Sequence, residues 1–235
     1  MNELRVQSGR MAARYKLAPS ILSADFARLG EEVARIEKYA DLLHVDAMDG
    51  HFVPPITIGP VVVKSLRKIT GLPLECHLMV TDPLGQAEQF AEAGGTSVVA
   101  HIEATPDPTA VIERARELGI GVGICLNPPT PLDAVLPWLE RVDVLNVMTV
   151  NPGWAGQRFI REMLPKIAAA RVEIDKRGLD VAIAVDGGID LDTGREALDA
   201  GATVLGAASA IFSRPDPAEA ARALKELLAE REAQS

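Results

Sequence analysis

Imidazole and carboxylate side chains stand at the ends of short apolar runs in this sequence. His44 and Asp46 lie two residues apart in LLHVDAM, His77 follows LPLEC, and Asp186 follows VAIAV. Residues two apart on a strand point to the same side, so His44 and Asp46 would face together. Two imidazoles and two carboxylates are a suitable ligand set for a divalent ion, with zinc expected first and manganese, iron(II) or cobalt also possible.

The charge of the two aspartates favours a bound cation. An unpaired buried carboxylate is very costly, and no lysine stands near Asp46 or Asp186 to compensate it. The alternative is that each His or Asp makes only a buried hydrogen bond or a helix cap. That alternative is weakest for two carboxylates that both point into an apolar interior. The sequence therefore predicts one ion bound by His44, Asp46, His77 and Asp186.

A repeated pattern of elements would carry these residues. A helical segment ends at glycine, an apolar run follows, and the run ends in a polar residue and a turn. Eight predicted strands centre near Ser20, Val45, Glu75, Val99, Gly123, Leu145, Ile183 and Leu205. Eight β/α units in so short a chain predict a single (β/α)8 TIM barrel over residues 17–235, with residues 1–16 as a flexible N-terminal extension. A doubly wound open sheet is the alternative, but no Gly-x-Gly-x-x-Gly follows the first strand.

Composition restricts the class of protein further. The 235 residues are 48% hydrophobic and carry a formal charge of −9, which argues against a nucleic-acid or membrane surface. Cys76 and Cys125 fall inside apolar runs and are expected to be buried thiols. No signal peptide or membrane span is evident, so we expect a cytoplasmic protein.

Small-residue turns follow the last three predicted strands. In a TIM barrel this region commonly binds phosphate through backbone N–H groups, which would let an acidic protein hold a dianion. The alternative is that the glycines only close tight turns. The candidate phosphate contacts are Gly153, Trp154, Ala155, Gly156, Gly187, Gly188, Ala208 and Ser209.

Longer motifs resemble a known family. The segments LAPSILSADFARLGEEV, HVDAMDGHFVPPITIGP, CHLMV, NPPTPL, VMTVNPGWAGQRFI, VDGGI and ASAIF are similar to those of ribulose-phosphate 3-epimerases and their hexulose-phosphate relatives. The resemblance runs from about Leu17 to Phe212. It implies that His44, Asp46, His77 and Asp186 hold the ion.

The resemblance also implies the reaction. It assigns acid/base catalysis to Asp46 and Asp186, which would invert C3 of a ketose phosphate through an enediolate. It implies that Ser20 and His77 contact substrate and that Met48, Met79 and Met148 form a dry wall beside it. His101 and Glu103 are interpreted as structural.

Several functions remain open at this point. The first is interconversion of D-ribulose 5-phosphate and D-xylulose 5-phosphate in the pentose phosphate pathway, and the second is 3-epimerisation of a hexulose 6-phosphate such as D-allulose 6-phosphate. A Schiff-base aldolase or a decarboxylase would need a lysine at a strand end, and a non-catalytic sugar-phosphate-binding barrel would not need both aspartates. We also expect a homo-oligomer whose ligand is a small sugar phosphate. The sequence departs from the family pattern at Pro55, Trp154, Ala155, Ala184 and Ala208, and Ala184 removes a carboxylate expected to support the ion ligands.

Overall fold

Eight strands alternate with helices over residues 14–234, which are the residues that the computed structural model describes. The strands are β1 (Lys16–Pro19), β2 (Leu43–Met48), β3 (Leu74–Met79), β4 (Ser97–His101), β5 (Gly121–Leu126), β6 (Val144–Met148), β7 (Ala182–Asp186) and β8 (Val204–Ala207). The helices are α1 (Leu29–Ile36), α2 (Pro60–Leu66), α3 (Pro83–Glu92), α4 (Thr109–Glu117), α5 (Leu164–Lys176), α6 (Leu191–Asp199), α7 (Ser209–Phe212) and α8 (Pro217–Ala233). Short 3-10 segments lie at Ile21–Ser23, Phe26–Arg28, Glu37–Tyr39, Leu132–Ala134, Leu136–Arg141 and Arg161–Met163.

The strands form one parallel sheet that curls into a barrel. Their spatial order is β1-β8-β7-β6-β5-β4-β3-β2, and every neighbouring pair is parallel. The sheet closes between β1 and β2, where Ser20 and His44 form an isolated parallel bridge. Lower in the same joint, Leu17 and Asp41 exchange two hydrogen bonds of 3.0 and 2.7 Å. The predicted TIM barrel is confirmed.

Alternate residues of each strand serve different layers. Leu43, Val45 and Ala47 pack outward into the main apolar cluster between strands and helices. The residues between them, including His44 and Asp46, point into the barrel. This period of two explains how an apolar strand brings charged side chains into the interior.

The Asp-Pro and Thr-Pro pairs of the sequence differ in whether they begin an α-helix. Asp82 and Asp216 cap α3 and α8 with their side chains, and a proline follows each. Thr130 caps no helix, because its hydroxyl donates instead to the carboxylate of Glu103. The segment after it is the 3-10 helix Leu132–Ala134.

Residues 1–13 of the predicted extension lie outside the described residues, and β1 begins at Lys16. Among residues 14–234, no helix is both long enough and apolar enough to cross a membrane. Cys76 and Cys125 are buried free thiols, as predicted. Burial raises the pKa of Cys76 to about 12, so this thiol is unreactive at neutral pH.

Candidate active and metal site

Four side chains meet at the carboxyl ends of β2, β3 and β7. His44 Nε2 lies 3.3 Å from Asp46 Oδ1 and 3.2 Å from His77 Nδ1, and His77 Nδ1 lies 3.0 Å from Asp46 Oδ1. Asp186 Oδ2 lies 3.4 Å from His77 Nδ1 and 3.6 Å from His44 Nε2. All four donor atoms lie within 4.8 Å of one another. The structure therefore brings together the four residues that were predicted from sequence.

The spacing of these atoms fits a tetrahedral ion. Donors about 2.0–2.1 Å from a zinc ion are about 3.3 Å apart along the edges of a tetrahedron. The five distances given above run from 3.0 to 3.6 Å. Imidazole and carboxylate donors also suit zinc and its divalent neighbours. Both the chemistry and the spacing of the set thus fit a divalent cation.

Burial and charge oppose each other at these residues. His44, Asp46 and His77 are almost inaccessible to solvent, and the Asp186 side chain is 14% exposed. Burial raises the pKa of Asp46, but the neighbouring His44 and hydrogen bonds from His44 and His77 outweigh burial and lower it well below its usual range. The pKa of Asp186 is lowered as well, because hydrogen bonds from both histidines outweigh burial and repulsion by Asp46. Positive charge beside the two carboxyls therefore stabilises the site.

The histidines supply this charge when they are protonated. Burial lowers the pKa of His44, but the charge of Asp46 and the hydrogen bonds that His44 donates to Asp186, Asp46 and Glu75 raise it well above its usual value. A divalent cation would take the place of these protons, because it needs both imidazoles as neutral donors.

Two residues outside the ion-binding set hold its members in place. Glu75 is buried on β3, and its Oε1 lies 2.9 Å from His44 Nδ1. The Ser20 hydroxyl donates to Asp46 Oδ2 over 2.5 Å. Ala184 provides no supporting carboxylate, but Glu75 on β3 provides one to His44 on the neighbouring β2.

A pocket opens above these residues. Asp46 and Asp186 reach its wall, whereas His44 and His77 lie behind them. The predicted residues that line it are Ser20, Asp46, Met48, Met79, Met148, Gly153, Trp154, Ala155, Gly156, Asp186, Gly187, Gly188, Ala208 and Ser209. Its lining, which lies wholly within the described residues, contains no lysine or arginine. An anion there would have to be held by backbone N–H groups and hydroxyls.

The structure differs from the sequence expectation at His77. This residue was predicted both to bind the ion and to contact substrate. Its side chain is completely buried, and its ring nitrogens face Asp46 and His101. His77 therefore has no surface in the pocket and remains a candidate ion ligand alone.

The three predicted wall methionines are buried side by side with the carboxylates. Met48 and Met79 share an apolar cluster with Val53, and Met148 packs with Val150. All three line the pocket. Their thioethers make one side of the pocket dry and polarizable.

The turns after β7 and β8 form the opposite side of the pocket. Gly187 and Gly188 have φ angles of +115° and +66°, which L side chains rarely adopt. A Cβ at Gly188 would lie 2.5 Å from the backbone nitrogen of Phe159. Only glycine fits this close approach, so the turn needs its glycines for geometry whether or not it binds phosphate.

The loop after β6 covers the pocket. A Cβ at Gly153 would lie 3.6 to 3.9 Å from Val53, Pro55 and Pro54, so this loop rests on the loop after β2. The Gln157 amide donates to the carbonyls of Asn151 and Trp154 over 2.6 and 2.9 Å. Trp154 lines the pocket but is 64% exposed, so most of its ring faces solvent.

Some functional positions were not predicted from the sequence. Glu75 lies two residues before His77 on the same predicted strand, so both side chains point to the same side. This spacing was the signal that could have identified Glu75. Gly206 pairs with Asp186 across β7 and β8, and a Cβ there would meet the Val185 carbonyl at 2.9 Å. Other lining residues are Leu22, Val150, Pro152, Gln157 and Ile189.

Comparison with known proteins gives a consistent result. The model of the ribulose-phosphate 3 epimerase family matches residues 16–212. The chain is 47% identical over 209 residues to the ribulose-phosphate 3-epimerase of Mycobacterium tuberculosis, and the match covers 89% of this chain and 91% of that protein. It is also 47% identical over 213 residues to the ribulose-phosphate 3-epimerase of Synechocystis, with 89% and 93% covered.

A solved structure shares the fold at much lower identity. KGPDC from Streptococcus mutans in complex with D-R5P superposes with a TM-score of 0.72 and 18% sequence identity. The superposition covers 92% of this chain and 98% of that one. At this identity the likeness concerns the barrel alone.

Proposed function

This chain belongs to the ribulose-phosphate 3-epimerase family and is an isomerase, and from that premise we propose that it interconverts D-ribulose 5-phosphate and D-xylulose 5-phosphate. One observation of the site carries the proposal. Two carboxylates, Asp46 and Asp186, reach the wall of one pocket from strands that β1 and β8 separate. Inversion of a carbon beside a ketone needs two such groups, one to remove the proton and one to return it.

The two aspartates would exchange roles with the direction of the reaction. A carboxylate on one side of the sugar takes the C3 proton, and the carboxyl on the other side gives a proton to the planar enediolate. Ser20 donates a hydrogen bond to Asp46 Oδ2, which stabilises the charged form of Asp46 and fixes its rotamer. Within residues 14–234 no hydroxyl donates to the Asp186 carboxyl, so the two carboxyls differ in their surroundings.

We assign ion binding to His44, Asp46, His77 and Asp186, because their donor atoms have suitable chemistry and spacing. Zinc is the ion we favour, and manganese, iron(II) and cobalt suit the same donors. Such an ion, when bound, is a Lewis acid that makes the C3 proton more acidic and stabilises the negative charge of the enediolate.

The remaining pocket residues would position the sugar. The turns at Gly187, Gly188 and Ala208–Ser209 line the pocket, whose lining offers no cationic side chain, and we assign the phosphate to the backbone N–H groups of these turns. The buried thioethers of Met48, Met79 and Met148 exclude water from the other side, which protects the enediolate from protonation by solvent.

Turnover in deuterated water tests the reaction. The protein, purified without chelator, should convert D-ribulose 5-phosphate to D-xylulose 5-phosphate with solvent deuterium at C3, as read by NMR. Elemental analysis of the same sample should show about one divalent ion per chain, and exhaustive chelation should abolish turnover until zinc is added back. Product without deuterium at C3 would contradict the proton-transfer scheme. Full turnover after complete ion removal would contradict the role of the ion alone.

A further inference from the structure

Two polar residues next to the site are not used by the reaction described above. His101 ends β4 and is completely buried, and Glu103 follows it with a side chain that is 22% exposed. His101 Nε2 lies 2.8 Å from His77 Nε2, and His101 Nδ1 lies 3.2 Å from Glu103 Oε2. We refer to Glu103, His101 and His77 as the buried triad.

The ring of His101 is held from several directions. Its plane lies only 16° from that of His77 at a centroid distance of 4.9 Å, and Phe52 contacts it from a centroid distance of 4.8 Å. Glu103 is fixed in turn, because its Oε1 accepts the backbone N–H of Asn127 at 2.8 Å and the hydroxyl of Thr130. The orientation of His77 is therefore connected to the loop after β5.

The positions of the protons follow from the ligand role proposed for His77. A His77 that offers the lone pair of Nδ1 to an ion must carry its proton on Nε2. Its Nε2–H then donates to His101 Nε2, which must be unprotonated, so that His101 carries its proton on Nδ1. This proton points at Glu103, which is a carboxylate with no proton of its own. The opposite tautomer of His101 would place two N–H groups face to face at 2.8 Å.

We infer that Glu103 and His101 are positioning residues that fix the tautomer and orientation of His77 as a ligand of the ion. The inference rests on the ion site of the proposed function and deepens it. Hydrogen-bond partners of this kind raise the basicity of a ligating imidazole, and their loss typically weakens metal binding about 10- to 100-fold. Neither residue lines the pocket, so they act through His77 and not on the sugar.

Cys125 offers a competing interpretation of the same residues. Its sulfur lies within 4.8 Å of ring nitrogens of His77 and His101, so the three could hold a second ion. The 2.8 Å between the two ring nitrogens favours a direct hydrogen bond, because donors around a tetrahedral ion are about 3.3 Å apart. The two interpretations predict different ion counts.

Cobalt binding to the intact protein distinguishes them. Cobalt(II) affinity is measured by competition with a chelator, together with the visible absorption of the bound ion, in wild type and in four variants at three positions. Glu103→Gln places an amide N–H₂ or a weaker acceptor against His101 and should weaken cobalt binding at least about 10-fold. His101→Leu should weaken it similarly, whereas His101→Gln should stay close to wild type, because an amide can accept from His77 and donate to Glu103. Cys125→Val should leave affinity and stoichiometry unchanged.

Each result bears on the inference. Thermal unfolding of the ion-free variants shows whether the fold survives, and Glu103→Gln keeps the test available if His101→Leu does not fold. Wild-type affinity in Glu103→Gln, or equal loss in His101→Gln and His101→Leu, would overturn the positioning role while leaving the ion site intact. Two cobalt ions per chain, falling to one in Cys125→Val, would overturn it in favour of a second ion. A wild-type protein that binds no cobalt, zinc or manganese would overturn both the triad and the proposed ion site.

Discussion

His44 Nδ1 lies 2.9 Å from Glu75 Oε1, and the two residues are direct partners in the register of β2 and β3. The carboxylate can only accept, so the proton of a neutral His44 is held on Nδ1 and its Nε2 is left as a lone-pair donor. Nε2 is the atom that faces Asp46, His77 and Asp186. Glu75 thus selects the tautomer of His44 that an ion requires.

Replacement of Glu75 should weaken ion binding. We expect Glu75→Leu, which removes the acceptor at similar volume, to lower zinc affinity about 10- to 100-fold in a chelator competition. Glu75→Gln is the matched comparison and should lose less affinity than Glu75→Leu, because its amide oxygen can still accept from His44 Nδ1 although the negative charge is gone. Equal zinc affinity in Glu75→Leu and wild type would show that this hydrogen bond does not matter for the ion.

Asp46→Asn and Asp186→Asn should each reduce kcat by several orders of magnitude. Each change keeps the shape of the side chain but removes both a proton-transfer group and a charged ligand. The measurement is steady-state turnover with zinc in excess, alongside zinc content by elemental analysis. Asp192→Asn, in the exposed first turn of α6, is the control and should keep kcat within about twofold. Near wild-type turnover in either site variant would exclude the two-carboxylate scheme.

Two glycines with the same backbone angle allow a matched test of the turn after β7. Gly178 has a φ angle of +65°, and no atom lies within 4 Å of where its Cβ would be. Gly188 has a φ angle of +66°, but a Cβ there would lie 2.5 Å from the backbone nitrogen of Phe159. Gly178→Ala should cost about 1–2 kcal/mol of unfolding free energy from the backbone angle alone. Gly188→Ala should cost clearly more and should also raise KM for the sugar phosphate. The check is urea denaturation with substrate kinetics, and equal losses in the two variants would contradict the close approach seen at Gly188.

Glu103 should make stability depend on pH in the acid range. Burial raises its pKa, but hydrogen bonds from His101, Thr130 and the Asn127 backbone outweigh burial and lower the pKa from 4.5 to about 2. A group whose pKa is lowered in the folded state contributes stability above its unfolded pKa and loses it as pH falls toward the folded value. The contribution is therefore complete above about pH 5 and disappears by about pH 2.

The matching variant is Glu103→Gln. At pH 7 it should be less stable than wild type by on the order of 1–2 kcal/mol, after allowance for the partial exposure of the side chain. The difference should shrink as pH is lowered from 5 to 3 in urea denaturation series. A difference that stays constant over this range would assign the loss to packing and not to the charge.

Substrate length is the remaining prediction. One extra carbon between C3 and the phosphate changes the free energy of transition-state binding by about 1–3 kcal/mol. We therefore expect kcat/KM for D-ribulose 5-phosphate to exceed that for D-allulose 6-phosphate at least about tenfold, which is the low end of that range. The two sugars are compared side by side on one enzyme preparation. The reverse order would assign this chain to the hexulose phosphate and leave the site and the proton transfer as they are.

The site residues at the strand ends could be predicted from sequence because side chains alternate between the two faces of a strand. His44, Asp46 and His77 each follow an apolar run, and a barrel gathers the ends of its strands in one place. Glu75 has the same period, but its contact with His44 depends on the register between two strands, which one sequence does not contain. The contact of His101 with His77 depends on register in the same way, so His101 was interpreted as structural only.

Loop residues were harder to predict for a different reason. Trp154, a candidate phosphate contact in the sequence, lines the pocket, yet 64% of the residue is exposed. Its direction is set by the glycines on either side of it and by the hydrogen bonds of Gln157, which are properties of the folded loop. The sequence therefore predicted that Trp154 lies at the pocket, but it did not predict the direction of its ring.

The joint between β1 and β2 has a consequence for the motions of the barrel. Its upper end is the bridge of Ser20 to His44, and the Ser20 hydroxyl also holds Asp46. A fluctuation that separates β1 from β2 at Ser20 must also misalign Asp46. Local opening of the barrel and disorder of the Asp46 carboxylate therefore occur together. Amide hydrogen exchange of β1 and β2 would then report how often Asp46 is correctly placed for catalysis, and a bound sugar phosphate that contacts Asp46 would slow that exchange.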